Sequence, residues 1–131
     1  MHLQQLDTSC LSEAAYFIAH NGEAAVIDPL RDIDQYRALA KEHNATIKYI
    51  FETHFHADFV SGHIELSKAT GAPIVYGPNA ETSFDFLQAK DGQIFSIGGL
   101  SLKAIHTPVH TLESTFYLLR DEAGNTYCLC S

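Results

Sequence analysis

Three histidines and an aspartate lie within one short stretch of the sequence. His54, His56 and Asp58 alternate with other residues, and His63 follows a few positions later. In an extended chain, alternate side chains project to the same side, so the first three can converge on one point. Imidazole nitrogens and carboxylate oxygens are ligands that suit zinc, iron and manganese. A solvated polar loop is the alternative, but this density of ligand-type residues favours a metal site.

A second group of histidines lies further along the chain. His106 and His110 flank Pro108, which disfavours a helix and biases Thr107 toward extended geometry. Alone, this segment would be read as a polar strand end. Five of the eight histidines fall in these two short stretches, however, so we expect the second loop to deliver a histidine to the same metal.

Strands and helices are predicted directly beside both histidine stretches. A β-type run at 46–53 leads into the first stretch, and a helix at 60–70 follows it. A strand at 100–106 leads into the second stretch. Each group of histidines is therefore expected at the end of a strand.

The other elements are predicted from turn and cap residues. Asn21-Gly22 between two apolar runs indicates a hairpin. Asp32 is the expected N-cap of a helix that ends at Asn44 and turns Ile33, Tyr36, Leu39 and Ala40 inward. The remaining predicted elements are strands at 14–20, 23–28, 73–76, 93–97, 115–120 and 126–130 and a short helix at 80–88. This mixture of hairpins and strand–helix–strand units predicts an α/β sandwich of sheet and helices.

Composition limits the classes of protein and partner. A chain of 131 residues that is 46% hydrophobic predicts one domain, 1–131, with a sizeable core. The net charge of −8 argues against a nucleic-acid surface or a basic membrane patch. There is no signal-peptide pattern and no apolar run of membrane-spanning length. Three cysteines suggest no disulfide framework, so a cytoplasmic location is expected; Cys128 and Cys130 are interpreted as buried strand residues.

The two histidine stretches resemble those of a known family. The segments THFHADFVSGH, beginning at Thr53, and HTPVHTLES, beginning at His106, are similar to the metallo-β-lactamase superfamily. The form ADFVSGH and the earlier AVIDPLRD resemble its persulfide dioxygenases, which are often fused to rhodanese domains. The resemblance covers nearly the whole chain. It implies an αββα sandwich of two facing sheets with helices outside, apparently truncated here to about its first half.

The resemblance also implies roles for individual residues. By analogy with the family motifs, His54 and His110 are the expected metal ligands. His56 and Asp58 match positions that bind metal in the dinuclear hydrolases. In the mononuclear dioxygenases these positions are expected to be catalytic groups that orient the reactants. His63 and His106 are expected to line the site without binding the metal.

Three positions depart from the family pattern. Phe59 stands where the hydrolases carry a histidine ligand of a second metal, which argues for one metal. Val109 replaces the usual glycine of the second loop and resists backbone angles that glycine permits. The family carries an aspartate ligand after the final strand, and this aspartate is absent from the 131 residues. The third metal ligand is therefore expected outside this sequence.

The function that the resemblance implies for the full-length parent protein is oxygen-dependent oxidation of a glutathione-type persulfide to sulfite at a mononuclear non-haem Fe2+. One alternative is a glyoxalase II-like thioester hydrolase that uses Zn2+, and another is a catalytically inactive fragment with a weak metal site. The expected small-molecule partners are a thiol or persulfide and dioxygen. Because half of a sandwich would expose the inner face of its sheet, we also expect a homo-oligomer formed through that face.

Overall fold

Strands dominate the chain and form two sheets. The computed structural model describes residues 2–7, 14–29, 32–52, 63–76, 87–106 and 115–129. In this part of the chain, the first sheet has six strands in the order β1-β2-β3-β4-β5-β6. They are His2–Asp7, Ala14–His20, Glu23–Ile27, Thr46–Phe51, Ile74–Tyr76 and Leu87–Gln88. The second sheet has the order β10-β9-β8-β7, made of Ile94–Ile97 (β7), Leu100–His106 (β8), Thr115–Arg120 (β9) and Thr126–Leu129 (β10).

Strand direction sets which ends of the first sheet lie together. β1, β2 and β3 pair antiparallel, whereas β3, β4, β5 and β6 pair parallel. Helix α1 (Asp34–Glu42) connects β3 to β4, and helix α2 (His63–Thr70) lies between β4 and β5. The carboxyl ends of β3, β4 and β5 therefore lie at one edge of the sheet, as in other strand–helix–strand units.

Local turn chemistry behaves as predicted. Asn21 and Gly22 both have positive φ, 50° and 81°, and join β2 to β3 with His20 opposite Glu23. Two successive left-handed residues give the backbone twist that a tight hairpin needs, and asparagine followed by glycine adopts it readily. The predicted hairpin is confirmed.

The first helix also follows its sequence signals. It begins at Asp34, and the Asp32 side chain accepts a hydrogen bond from the Asp34 backbone N–H at 3.2 Å. Asp32 thus satisfies one free N–H of the first turn from two positions upstream, rather than from the adjacent cap position. Asn44, with φ of 52°, ends the turn after the helix. The predicted inner face is confirmed, because Tyr36 and Ala40 are buried and Ile33 and Leu39 lie against the same core.

Two core layers lie on opposite faces of the first sheet. Adjacent residues of one strand serve different layers, as alternation along a strand requires. Ile50 belongs to the layer between this sheet and the helices, and Phe51 belongs to the layer between the two sheets. The layer between the sheets contains large buried side chains from both, including Ile18, Ile27, Phe51, Phe95, Leu102, Tyr117 and Leu119.

Three expectations differ from the structure. The inner face of the first sheet is not exposed, because the second sheet covers it and buries residues such as Phe51 and Val75 completely. The sequence prediction did not include β1, whose strand is held by its pairing with β2. Leu87 and Gln88, predicted to end a helix, form the short strand β6 beside β5; the rest of that predicted helix lies outside the described residues.

The outer face of the second sheet differs from that of the first. Both helices contribute side chains to the layer on the first sheet, while the layer between the sheets contains no helix residue in the described part of the chain. Alternate residues of the second sheet, among them Ile94, Lys103 and Arg120, are exposed. Self-association stays a prediction. Within the described residues, no helix is long and apolar enough to cross a membrane.

At the end of the sandwich where β3 begins, the turns of the two sheets interlock. The Asn21 side chain donates a hydrogen bond to the Gly98 carbonyl at 2.8 Å, and the Gly98 N–H donates to the Glu23 carboxylate at 2.6 Å. His20 forms an ion-pair contact with Glu122 of the β9–β10 turn. Because these contacts join different sheets, they fix the distance between the sheets at this end.

Gly98 tests this contact by substitution. It has φ of 58°, and a Cβ at this position would collide with the backbone carbonyl of His20. We expect Gly98→Ala to lower the free energy of unfolding by about 3 kcal/mol, from backbone strain plus overpacking. Gly124→Ala is the matched control, because Gly124 has φ of 89° but a Cβ added there would meet no atom within 4 Å. It should cost about 1 kcal/mol in urea denaturation; equal losses would contradict the interlocking of the turns.

Glu23 should make stability depend on acidic pH. The Gly98 N–H, followed by the hydrogen bond from Lys48, lowers the pKa of Glu23 below its ordinary value of 4.5. A carboxyl with a lowered pKa stabilises the fold above its unfolded-state pKa, and this stabilisation disappears as the pH falls through the folded-state pKa. We therefore expect the difference in unfolding free energy between the wild type and Glu23→Gln to shrink between about pH 5 and about pH 3. Glu42→Gln, at the exposed end of α1, is the matched control, and an equal decrease in both variants would contradict the role of the Gly98 N–H.

Candidate metal centre

The first histidine stretch begins where β4 leaves the interior of the sandwich. β4 buries Ile50 and Phe51, and Glu52 follows with no exposed surface. The Glu52 N–H still donates to the Val75 carbonyl of β5 at 2.9 Å, so the parallel ladder continues through this residue. Thr53, the next residue, begins the segment that carries His54. The start of the predicted metal segment therefore directly follows three fully buried residues, Ile50, Phe51 and Glu52.

A second buried carboxylate lies at the end of β3. The Asp28 N–H donates to the Phe51 carbonyl at 2.8 Å, and Asp28 has φ of 51°, a left-handed conformation that ends the strand. Its side chain is almost fully buried. Asp28 and Glu52 thus bring two acidic side chains to the carboxyl ends of the parallel strands, where open α/β sheets commonly bind ligands.

The second sheet reaches the same edge through Tyr117 of β9. The Tyr117 hydroxyl donates a hydrogen bond to the Glu52 carbonyl at 3.0 Å, and both residues are fully buried. The Tyr117 ring lies against Phe51, with ring centroids 4.9 Å apart. Phe51 also meets Phe95 of β7 edge-on at 5.2 Å. These contacts join the end of β4 to the second sheet.

The environment of Tyr117 keeps its hydroxyl protonated. Burial raises the pKa of Tyr117 well above its ordinary value, and the nearby charges of Asp28 and Glu52 raise it further. Around neutral pH the hydroxyl is therefore a hydrogen-bond donor. That role matches its contact with a carbonyl oxygen.

Strand register brings the second histidine stretch to the same end of the sandwich. Tyr117 pairs with Ala104 of β8, and Thr115 pairs with His106, the last residue of that strand. β8 therefore ends two positions beyond Ala104, which pairs with Tyr117, and β4 ends one position before Glu52, whose carbonyl Tyr117 contacts. The two histidine segments start from different sheets but from the same end.

The predicted site residues differ in how far the structure describes them. His63 is the first residue of α2 and His106 is the last residue of β8, so their backbones lie at the ends of described elements. Four further predicted residues, namely His54, His56, Asp58 and His110, lie outside the described residues, as do Phe59 and Val109. Among the residues that the structure describes, no three His, Cys, Asp or Glu side chains form a group that could hold a metal ion.

The sequence predictions did not include Glu52 and Tyr117, the buried residues joined by a hydrogen bond at this end of the sandwich. Glu52 had a usable signal, because it is an acidic residue directly after the apolar run Tyr49-Ile50-Phe51 and directly before Thr53. Tyr117 had none, since an aromatic residue in a strand is usually part of the core. Its polar role depends on a contact between residues 65 positions apart.

A two-sheet sandwich with helices on the first sheet and histidine segments leaving one end defines a class of metalloprotein. A sequence model of the metallo-β-lactamase superfamily matches residues 9–122. The chain therefore belongs to the metallo-β-lactamase superfamily. Hydroxyacylglutathione hydrolase of Rhodopseudomonas palustris (strain BisB18) is 32% identical over 119 residues, which are 87% of this chain and 46% of that protein.

Solved structures give the same fold. A metallo-β-lactamase from Staphylococcus aureus subsp. aureus COL superposes with a TM-score of 0.83 at 34% identity, covering 94% of this chain and 39% of the other. ETHE1 from Myxococcus xanthus superposes with a TM-score of 0.81 at 31% identity, covering 91% of this chain and 54% of the other. The chain thus spans about half the length of the relatives that it matches.

Phe51 is the residue whose loss should most disturb the joined sheets. We expect Phe51→Ala to lower the free energy of unfolding by about 3 to 5 kcal/mol, because a fully buried ring is removed from between the sheets. Tyr127→Ala, at an exposed position of β10, should cost less than about 1 kcal/mol. Urea denaturation monitored by circular dichroism measures both changes. A loss below about 1 kcal/mol for Phe51→Ala would contradict the central role of this ring.

Proposed function

We propose that this chain carries the metal-binding segments of a persulfide dioxygenase-like enzyme. The observation that carries the proposal is that Glu52 and His106, the last described residues before the two histidine segments, lie at the same end of the sandwich, near the Tyr117–Glu52 contact. The motif with Phe59 and the similarity to ETHE1 from Myxococcus xanthus support this subgroup. The proposed substrates are a glutathione-type persulfide and dioxygen. A cytoplasmic location is part of the same proposal.

The donor chemistry of the two segments fits a metal ion. His54 and His110 would hold it through imidazole nitrogens, which suit both iron and zinc. Asp28 and Glu52 place two buried carboxyl groups at the carboxyl ends of β3 and β4. A bound Fe2+ with open positions would supply a place for dioxygen and for the terminal persulfide sulfur.

The chain's other residues would orient the reactants and handle protons. His56 and Asp58 would orient the substrate sulfur, and His56 would exchange a proton with it, since an imidazole can accept or donate a proton near neutral pH. In the overall reaction the sulfur–sulfur bond breaks. The terminal sulfur takes two oxygen atoms from dioxygen and one from water to become sulfite. The remaining sulfur leaves as the thiol, and two protons are released.

A thioester hydrolase is the second candidate. Its support is the similarity to hydroxyacylglutathione hydrolases, one of them at 32% identity. For that reaction a Zn2+ ion held by His54 and His110 would supply an activated water for hydrolysis of the thioester to a carboxylic acid and a thiol. Phe59 weighs against it, because a phenyl ring replaces an imidazole that could bind a second metal. A chain that binds metal weakly and turns over neither substrate is the third possibility.

Metal loading and two assays separate these candidates. The protein is loaded anaerobically with Fe(II) or with Zn(II), and metal content is measured by elemental analysis. Oxygen uptake that requires both Fe(II) and glutathione persulfide, with sulfite as product, supports the dioxygenase. Thiol release from a glutathione thioester with Zn(II), without oxygen uptake, supports the hydrolase and overturns the dioxygenase proposal. Absence of both reactions leaves the inactive alternative.

Substitution of His54 tests the first ligand. We expect His54→Ala to weaken Fe(II) binding by at least about 100-fold, because ligand loss should exceed the 10- to 100-fold effect of changing a group that only supports a ligand. His20→Ala is the matched control, since His20 lies at the opposite end of the sandwich beside Glu122. The control should bind Fe(II) within about twofold of the wild type. Stoichiometric iron retained by His54→Ala would remove His54 from the ligand set.

A further inference from the structure

Tyr117 makes a contact that its ring alone does not explain. The ring fills the space beside Phe51, with centroids 4.9 Å apart, and a phenylalanine would fill nearly the same volume. The hydroxyl adds a hydrogen bond of 3.0 Å to the Glu52 carbonyl on the other sheet. Because Tyr117 is fully buried, a hydroxyl without such a partner would be costly there.

The acceptor of this hydrogen bond belongs to Glu52, the last described residue before the segment that carries His54. The Glu52 N–H remains in the ladder with β5, whereas its carbonyl accepts a hydrogen bond from a side chain of the facing sheet. Carbonyl groups of a regular ladder are directed at neighbouring strands of the same sheet. The Tyr117 contact therefore fixes the orientation of the last described peptide group before Thr53.

We propose that Tyr117 is a positioning residue, whose hydroxyl sets the direction in which the chain leaves β4 and enters the segment that carries His54. The part of this proposal that concerns a metal rests on the proposed function. The same residue also faces Ala104, two positions before the end of β8. Tyr117 thus contacts the last described residue before the first histidine segment and pairs with a residue near the end of β8, where the second begins.

Two matched substitutions separate positioning from general stability. Tyr117→Phe removes the hydroxyl and keeps the ring. Tyr36→Phe does the same at another fully buried tyrosine, which lies on α1 in the layer on the opposite face of the first sheet. Each variant loses one buried hydroxyl group, so both should lose comparable thermal stability.

The first measurement uses the metal-free protein. Amide hydrogen exchange, read by mass spectrometry, compares a peptide spanning residues 53–62 with one spanning 94–105. In Tyr117→Phe we expect exchange in the 53–62 peptide to rise about three- to tenfold, the factor that the loss of one hydrogen bond corresponds to, with little change at 94–105. In Tyr36→Phe the 53–62 peptide should exchange as in the wild type. Equal changes in both variants, or no change at 53–62, would overturn the proposal.

The second measurement is the affinity for Zn(II), determined by competition with a chelator. Tyr117→Phe should bind Zn(II) about three- to tenfold more weakly than the wild type, whereas Tyr36→Phe should bind it equally well. An unchanged affinity in Tyr117→Phe would overturn its role at the metal site even if exchange changes. Failure of the wild type to bind any metal would overturn the proposed function and the metal part of this proposal. Exchange would still decide whether Tyr117 directs the chain.

Discussion

The contact between the two sheets at the end of β4 is the constraint on which the candidate site depends. Phe51 comes from the first sheet, Phe95 and Tyr117 come from the second, and none of their rings is much exposed. Ring centroids 4.9 and 5.2 Å apart leave no room for one sheet to slide over the other without losing contact. A site assembled from two sheets requires this fixed relation, since ligands must be held within a fraction of an ångström.

The opposite end of the sandwich is fixed by different chemistry. There the contacts are polar and lie between turns. The Asn21 side chain donates to the Gly98 carbonyl, the Glu23 carboxylate accepts from the Gly98 N–H, and His20 contacts Glu122. Such contacts are more exposed and contribute less per interaction than buried aromatic packing. The two ends therefore have different tasks. The polar contacts align the turns, while the apolar layer between the sheets, which extends from Phe51 to Ile97 and Leu100 beside the Gly98 turn, supplies most of the buried surface that holds the sheets together.

How far the fold could be predicted depended on the distance over which each signal acts. The Asn21-Gly22 hairpin and the helix before Asn44 are set by residues a few positions apart, and their predictions are confirmed. β1 and β6 are stabilised by pairing with β2 and β5, and neither strand was predicted. The expected exposed inner face was wrong for a related reason. Strands of both sheets were predicted, but only the fold shows that the later strands cover the earlier ones.

The candidate site divides in the same way. The metal-binding role of its histidines stays a prediction, based on ligand-type residues at spacings that an extended chain brings to one side. Tyr117 and Glu52 could not be paired from sequence, because the two residues are 65 positions apart and one of them contributes only a backbone carbonyl. Sequence motifs report groups that touch a metal or substrate. The groups that orient those segments are visible only once the sheets are assembled.

The chemistry of the two enzyme candidates depends on the metal site more than on substrate recognition. A glutathione persulfide and a glutathione thioester share the same peptide portion and both present sulfur near the reacting atom, so residues that bind glutathione would serve either reaction. The two reactions differ in the number of metal-binding imidazoles that they use. Phe59 stands where the dinuclear hydrolases carry a histidine, and its ring provides no nitrogen for a second metal. A single metal with open positions can accept dioxygen beside a sulfur ligand. Phe59 therefore favours oxidation over hydrolysis on a scaffold that both reactions could share.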